Sequence, residues 1–308
     1  MRQTSVPLPP LVTIALPANI TSLAVVSRSP RVAAGLADGR VAIWSPNEAA
    51  TSLLLQPHAA RVLAVGTTAD GAHLLSVASD GTLSRTSISP GASPVSSKID
   101  LGPTPTRAAA FSADGSRLAT GGETGDIRVF DTATGAVTGQ LRGHRTELQA
   151  IAMQPGTPIV ASASAEADLR LWDASAGKAV KQVDCGLSLF AVEFSPRDGT
   201  LASGGVARRL TFYDPKTFEP TGGLGLQAPN IIAALTWSRD GGRIAVGYID
   251  SDSLSKGGIL VMDAATHDIV ATLDTGGAPA SALAFGGSGA GALVGAFVRD
   301  LRAWALPG

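Results

Sequence analysis

Apolar residues recur along the chain in short runs separated by turn-forming Gly, Pro, Asp, Asn and Ser. The clearest example lies in the middle. Ala108-Ala109-Ala110-Phe111 is followed by the turn Ser112-Ala113-Asp114-Gly115. Arg117-Leu118-Ala119-Thr120-Gly121-Gly122 comes next, then Asp126-Ile127-Arg128-Val129-Phe130-Asp131. A second copy follows: Ala150-Ile151-Ala152-Met153, then Ile159-Val160-Ala161-Ser162-Ala163-Ser164, then Asp168-Leu169-Arg170-Leu171-Trp172-Asp173. A fourth run, residues 136–141, links the copies. Short apolar runs bounded by turn chemistry predict strands.

The same order recurs throughout. Residues 21–26, 31–35, 40–44 and 50–55 form one set of four, and 61–65, 73–77, 82–88 and 95–101 a second. The two copies above are the third and fourth sets, the fourth ending with 179–183. Residues 189–194, 200–204, 210–214 and 220–226 make a fifth. Residues 232–237, 243–248, 259–263 and 269–273 make a sixth. The seventh has only three runs, 282–285, 291–297 and 301–304. Residues 11–16 form a run with no hairpin partner. An open sheet edge presents unpaired backbone groups, so this run is expected to supply the missing strand of the seventh set. A sheet of four strands cannot bury both faces alone, and stacked repeats do. The expected architecture is all-β, one ring over residues 11–308 preceded by a flexible Pro-rich tail, residues 1–10.

Leu141-Arg142-Gly143-His144 precedes one copy and Trp172-Asp173 ends it, at a spacing of about 40 residues. With these residues the chain resembles the WD-repeat β-propeller family. The resemblance covers residues 11–308 and implies seven four-stranded antiparallel blades. Its Ala- and Gly-rich, degenerate repeats resemble bacterial members. It also implies a buried chain of hydrogen bonds in each blade. A His before the first strand, a Ser or Thr in the second, an Asp in the following turn and a Trp in the third take part. On that pattern His144, Ser162 or Ser164, and Trp172 serve blade four, with Glu166 at the Asp position. Blade two has His58 and Asp80, with Thr86 in place of Trp. Blade one has Asp38 and Trp44 but no His. Blade three carries Phe130 and Thr124 at the Trp and Asp positions. These residues are expected to be structural, not ligands or bases.

Composition narrows the function. The chain has 308 residues, with 24 Lys and Arg against 25 Asp and Glu, a formal charge of −1. That gives no field to draw in nucleic acid or an anionic membrane. No apolar run reaches bilayer-spanning length, and the N-terminus has no signal-peptide core. The expected location is cytoplasmic, or periplasmic or secreted if a leader was removed. The single Cys185 cannot form an internal disulfide, and it reads as a small packed side chain. The glycine run 286–291 follows a strand but precedes another strand, not a phosphate-binding helix. Asp250-Ser251-Asp252-Ser253 lacks the glycine and terminal Glu of a calcium loop. Asn19-Ile20-Thr21 matches a glycosylation acceptor only in a secreted setting. On the innermost strands Glu193 is the one acidic residue, too few for a metal shell or an acid–base pair. No catalytic, cofactor or metal site is expected.

What remains is surface. The loops before each first strand and the turns between second and third strands share one face. The residues expected there include Arg61, Arg107, Arg145, Glu147, Phe190, Arg208, Arg209, Asn230 and Arg299. Residues 249–258 form an insertion on the same face and add Asp250, Asp252, Leu254 and Lys256. Arginines with an exposed aromatic are enriched in binding hot spots. The reading is a non-enzymatic, monomeric scaffold for a protein or peptide partner within a larger complex, without nucleic acid or membrane insertion. The alternatives are a lactonase- or hydrolase-type propeller enzyme and an envelope propeller.

Overall fold

The computed structural model describes residues 7–46, 48–89, 93–102, 106–226, 230–286 and 291–307. Among these there is no helix, only twenty-eight strands in seven four-stranded antiparallel sheets. The chain opens with β1 (Val12–Ala15). Blade one is β2 (Ile20–Val25), β3 (Val32–Leu36), β4 (Val41–Trp44) and β5 (Thr51–Leu55). Blade two is β6 (Val62–Thr67), β7 (His73–Ala78), β8 (Thr82–Ser87) and β9 (Ser96–Asp100). Blade three is β10 (Thr106–Phe111), β11 (Arg117–Gly122), β12 (Ile127–Asp131) and β13 (Val137–Leu141). Blade four is β14 (Leu148–Met153), β15 (Ile159–Ser164), β16 (Asp168–Asp173) and β17 (Lys178–Asp184). Blade five is β18 (Leu189–Phe194), β19 (Leu201–Gly205), β20 (Arg209–Tyr213) and β21 (Pro220–Gly225). Blade six is β22 (Asn230–Trp237), β23 (Arg243–Asp250), β24 (Gly257–Asp263) and β25 (Ile269–Leu273). Blade seven is β26 (Ala282–Gly286), β27 (Ala292–Phe297) and β28 (Asp300–Ala305), completed by β1.

Each first strand packs on the next, and β26 packs on β2, so the sheets form a seven-bladed ring. Closure comes from the register of β1 against β28, Val12↔Ala303 to Ala15↔Asp300. The expected closing strand is therefore the real one. Ile14 and Leu16 are buried with Leu36 and Leu301, so the seam between the chain ends is packed as well as hydrogen-bonded. Residues 1–6 of the expected tail lie outside the described residues. Leu8, placed in that tail by sequence, is instead tied down. It pairs in parallel with Leu273 of β25, its N–H donating to the Thr272 carbonyl at 2.9 Å. Its side chain packs beside Leu273, Trp304 and Leu306.

The core lies between blades. Trp44, Trp172 and Trp304 are fully buried at one register level, opposite Val32, Val160 and Leu293. Four Asp residues at or just past the ends of third strands each cap the turn to the outer strand. Asp131, Asp173, Asp214 and Asp263 accept the N–H groups two and three residues on, at 2.8–3.0 Å. These bonds, with those of nearby hydroxyls, hold all four carboxyls below the usual range. The Asp of Trp172-Asp173 is thus a turn residue.

Blade six departs from expectation. Its first three strands are longer than the apolar runs suggest, and Asn230 and Ile231 belong to β22. The insertion is partly strand: Asp250 ends β23 and Gly257 begins β24. Only residues 251–256 form a loop. Asp250 accepts the N–H groups of Asp252 and Ser253, and its own N–H donates to the Lys256 carbonyl.

Candidate functional site

The entry loops to the first strands and the second-to-third turns meet on one face, here called the upper face. Blade two shows how. His58, from the entry loop, reaches Ser76 of β7 through Nε2 and Thr82 through Nδ1, each at 2.8 Å. Thr82 in turn donates to Asp80 at 2.7 Å. Asp80 therefore serves the predicted chain through a threonine relay. Thr86, at the tryptophan position, contacts Ser96 at 2.8 Å.

Blade four resolves the choice left open between two serines. Ser162 lies 2.8 Å from His144 Nε2 and accepts the Trp172 Nε1–H at 2.8 Å. Ser164 is buried with no partner. His144 Nδ1 faces Glu166 at 3.6 Å, beyond hydrogen-bond reach. Burial, with the nearby Arg170 cation, lowers the His144 pKa to about 4; burial also lowers that of His58. Both rings are neutral at pH 7.

Cys185 stands four residues before β18, as His144 stands before β14. Its thiol donates to the Val183 carbonyl at 3.7 Å and neighbours Tyr213, whose hydroxyl lies 3.2 Å from Ser203. Blade five thus places Cys, Tyr and Ser at the His, Trp and Ser positions, a substitution that single-residue matching hides. Burial pushes the thiol pKa up, which suppresses the thiolate. In blade one Trp44 donates to the Glu48 carbonyl instead, and in blade seven Trp304 Nε1 is buried without a partner.

His144, Glu166 and Asp168 bring ligand-type atoms within 4.8 Å of one another. Their charges are already answered. Glu166 accepts from Arg145 at 3.0 Å, and Asp168 accepts from Arg170 at 3.1 Å and Gln182 at 2.8 Å. A cation would have to displace two guanidinium groups, so the cluster reads as part of the blade. The glycine run 286–291 lies at 287–290 outside the described residues. In the Asn19-Ile20-Thr21 segment, Thr21 donates to the Val62 carbonyl and Asn19 accepts from Arg299.

The predicted surface residues fall into two groups. Arg107 pairs with Glu147, and Arg145 with Glu166, on the sector of blades three and four. Arg61 lies at the entry to β6. The sector of blades five to seven is different. Leu187 and Phe190 flank the start of β18, Leu254 tips the blade-six loop and Val298 sits in the blade-seven turn; they are 49%, 39%, 72% and 67% exposed. Leu187 and Val298 were not singled out by sequence; each is one apolar residue in a polar turn. Arg208, Arg209, Lys256 and Arg299 are exposed in the turns of the same three blades, Arg209 opening β20. Arg208 adopts φ of 58° where Gly39, Gly81 and Gly125 stand in the matching turns of blades one to three, and Val298 adopts φ of 51° as the first residue of a shorter, two-residue turn. A β-branched residue there is an outlier.

A family model described as WD domain, G-beta repeat, matches residues 102–131 and 135–173. The seven four-stranded blades share the strand order of the matched pair. The chain is a WD-repeat propeller. Its similar proteins include Pre-mRNA-processing factor 19 homolog 2 of Arabidopsis thaliana, 28% identical over 75% of this chain and 45% of that protein. Periodic tryptophan protein 2 of the same plant is 27% identical over 60% of this chain and 21% of its own length. THO complex subunit 3 of Arabidopsis thaliana is 30% identical over 36% of this chain and 37% of its own length. In each, the match spans less than half of the relative. These are eukaryotic proteins, and the printed names of two refer to a complex or to pre-mRNA processing.

Proposed function

We propose that this propeller is a non-enzymatic scaffold that docks a protein or peptide on the upper face of blades five to seven. The observation that carries the reading is the exposure of Leu187, Phe190, Leu254 and Val298 in upper-face loops and turns of three consecutive blades that also carry the exposed Arg208, Arg209, Lys256 and Arg299. Large apolar side chains gathered within a polar rim mark interaction sites. Val298 adds a second argument. Backbone strain at an exposed position persists only where something retains it, and functional surfaces are where such outliers collect. Similarity to proteins named as a complex subunit and a processing factor supports protein partners as a class. A cytoplasmic setting belongs to the same proposal.

The test is affinity capture from the native organism with mass spectrometry. Wild type is compared with a Phe190→Asp/Leu254→Asp variant and with Val95→Asp, a control at an exposed site on the outer rim. At least one partner held by wild type and by V95D is expected to be lost from the double variant. An unchanged partner set, with the double variant folded, overturns the proposal.

A further inference from the structure

Strand register places one residue of each blade at the same level of the inner ring, immediately before Val25, Thr67, Phe111, Met153, Phe194, Trp237 and Phe285. These residues are Ala24, Gly66, Ala110, Ala152, Glu193, Thr236 and Ala284. Six are small. Glu193 alone carries a long, acidic side chain.

The ring encloses a cavity of about 740 Å³ continuous with a second of about 390 Å³. Both are lined by Glu193, Trp237, Leu23, Leu63 and Ile151. The larger volume falls within the size range of small-molecule sites. Among the described residues, no side chain forms an ion pair or hydrogen bond with the Glu193 carboxyl. The neighbouring inner strands, β14 and β22, bring no charge to it. Arg107 and Arg239 also line the larger cavity, both exposed, and Arg107 is held by Glu147.

We propose that the channel binds a small organic ammonium ion, with Glu193 as its carboxylate partner and the apolar walls receiving its alkyl chain. One carboxylate without further ligands suits a monovalent ammonium group better than a metal ion, which needs several donors. An anion would meet the Glu193 charge. The small residues at the other six positions leave room beside Glu193 for the ammonium group. This inference stands apart from docking on the upper face.

Burial gives the site a proton-linked signature. It pushes the Glu193 carboxyl up to about 8, partly offset by a backbone hydrogen bond from Trp237. At pH 7 the group is therefore mostly protonated. An entering ammonium ion selects the carboxylate, and the carboxyl proton passes to solvent. Affinity should rise about tenfold between pH 7 and 9 as the carboxylate fraction grows.

The experiment is calorimetric titration of the full chain with n-butylammonium chloride and, in parallel, with N-acetyl-lysine methylamide, in two buffers of different ionisation enthalpy. Glu193→Gln is the matched variant, because the neutral amide mimics the protonated acid and should leave the fold intact. Saturable binding with proton release, lost in E193Q, supports the assignment. If only the lysine derivative behaves so, the ammonium group comes from a partner's side chain and the site stands. No saturable heat with either probe, equal binding by E193Q, or affinity that falls as pH rises overturns it.

Discussion

Blades four and seven bury the same tryptophan at the same register and treat it differently. Trp172 donates to Ser162, which also engages His144, while Arg170 lies 5.8 Å over the indole. Trp304 is equally buried, but the position matching Ser162 is Gly295, and its Nε1 has no partner. Phe297 meets it edge-on at 5.9 Å instead. Both blades stand. The polar chain is therefore not what makes a blade; apolar packing between neighbouring sheets is. The hydrogen bonds tie the entry loop of a blade to its second strand, on top of that packing.

Truncation should separate the two contributions. Trp172→Ala removes a buried indole and strands Ser162 and His144, so a loss of about 3–5 kcal/mol is expected. Trp304→Ala leaves a comparable void but relieves an unsatisfied N–H, whose burial costs about 1–3 kcal/mol. Urea denaturation should show the blade-seven variant as the less damaged of the two. Equal losses would mean that the Trp172 bonds contribute nothing net.

Acid provides the next contrast, because blade four has a buried histidine at this site and blade seven has none. His144 is neutral when folded, its pKa moved from 6.5 to about 4. Between those values the unfolded chain binds a proton that the native chain refuses. Stability from this group is complete above pH 6.5 and is lost as pH falls towards 4, by about 3 kcal/mol. The wild-type stability curve should therefore slope upward between pH 4 and 6.5. In His144→Gln the slope should shrink by the equivalent of one proton. A variant curve parallel to wild type would show that other groups govern acid unfolding.

The contrast also explains what the sequence could disclose. The seven-fold order of runs and the unpartnered strand at 11–16 were enough for the ring and its seam, since both follow from periodicity and from the need to pair every edge. The complete tetrad of blade four was legible because its residues match in type. The Cys185–Tyr213–Ser203 version was not, because only Ser203 keeps its residue type while Cys185 and Tyr213 stand where His and Trp are expected. The pinning of Leu8 depends on where the edge of β25 lies in space, which no local pattern encodes. Nor could composition show that Leu187, Phe190, Leu254 and Val298 are exposed in upper-face loops and turns of blades five to seven, while Arg107 and Arg145 pair with Glu147 and Glu166 on blades three and four. That grouping arises only when distant turns share a face.

The smallest expected effect concerns the second-to-third turn of the same two blades. Blade four places Ala167 there at φ 67°, and blade seven places Val298 at φ 51°. Left-handed backbone brings Cβ against the following carbonyl at a cost of about 1–2 kcal/mol, and Gly escapes it. A branched side chain suffers more than a methyl, while Gly adds unfolded-state entropy that offsets part of any gain. Val298→Gly should thus stabilise the propeller by about 1 kcal/mol, and Ala167→Gly by less. Thermal unfolding of both variants measures the difference. If Val298→Gly raises the melting temperature and weakens capture of a partner, the strain is retained for the contact that valine makes on the upper face. A stabilised variant with capture unchanged would leave Val298 outside the docking surface and shift that role to Phe190 and Leu254.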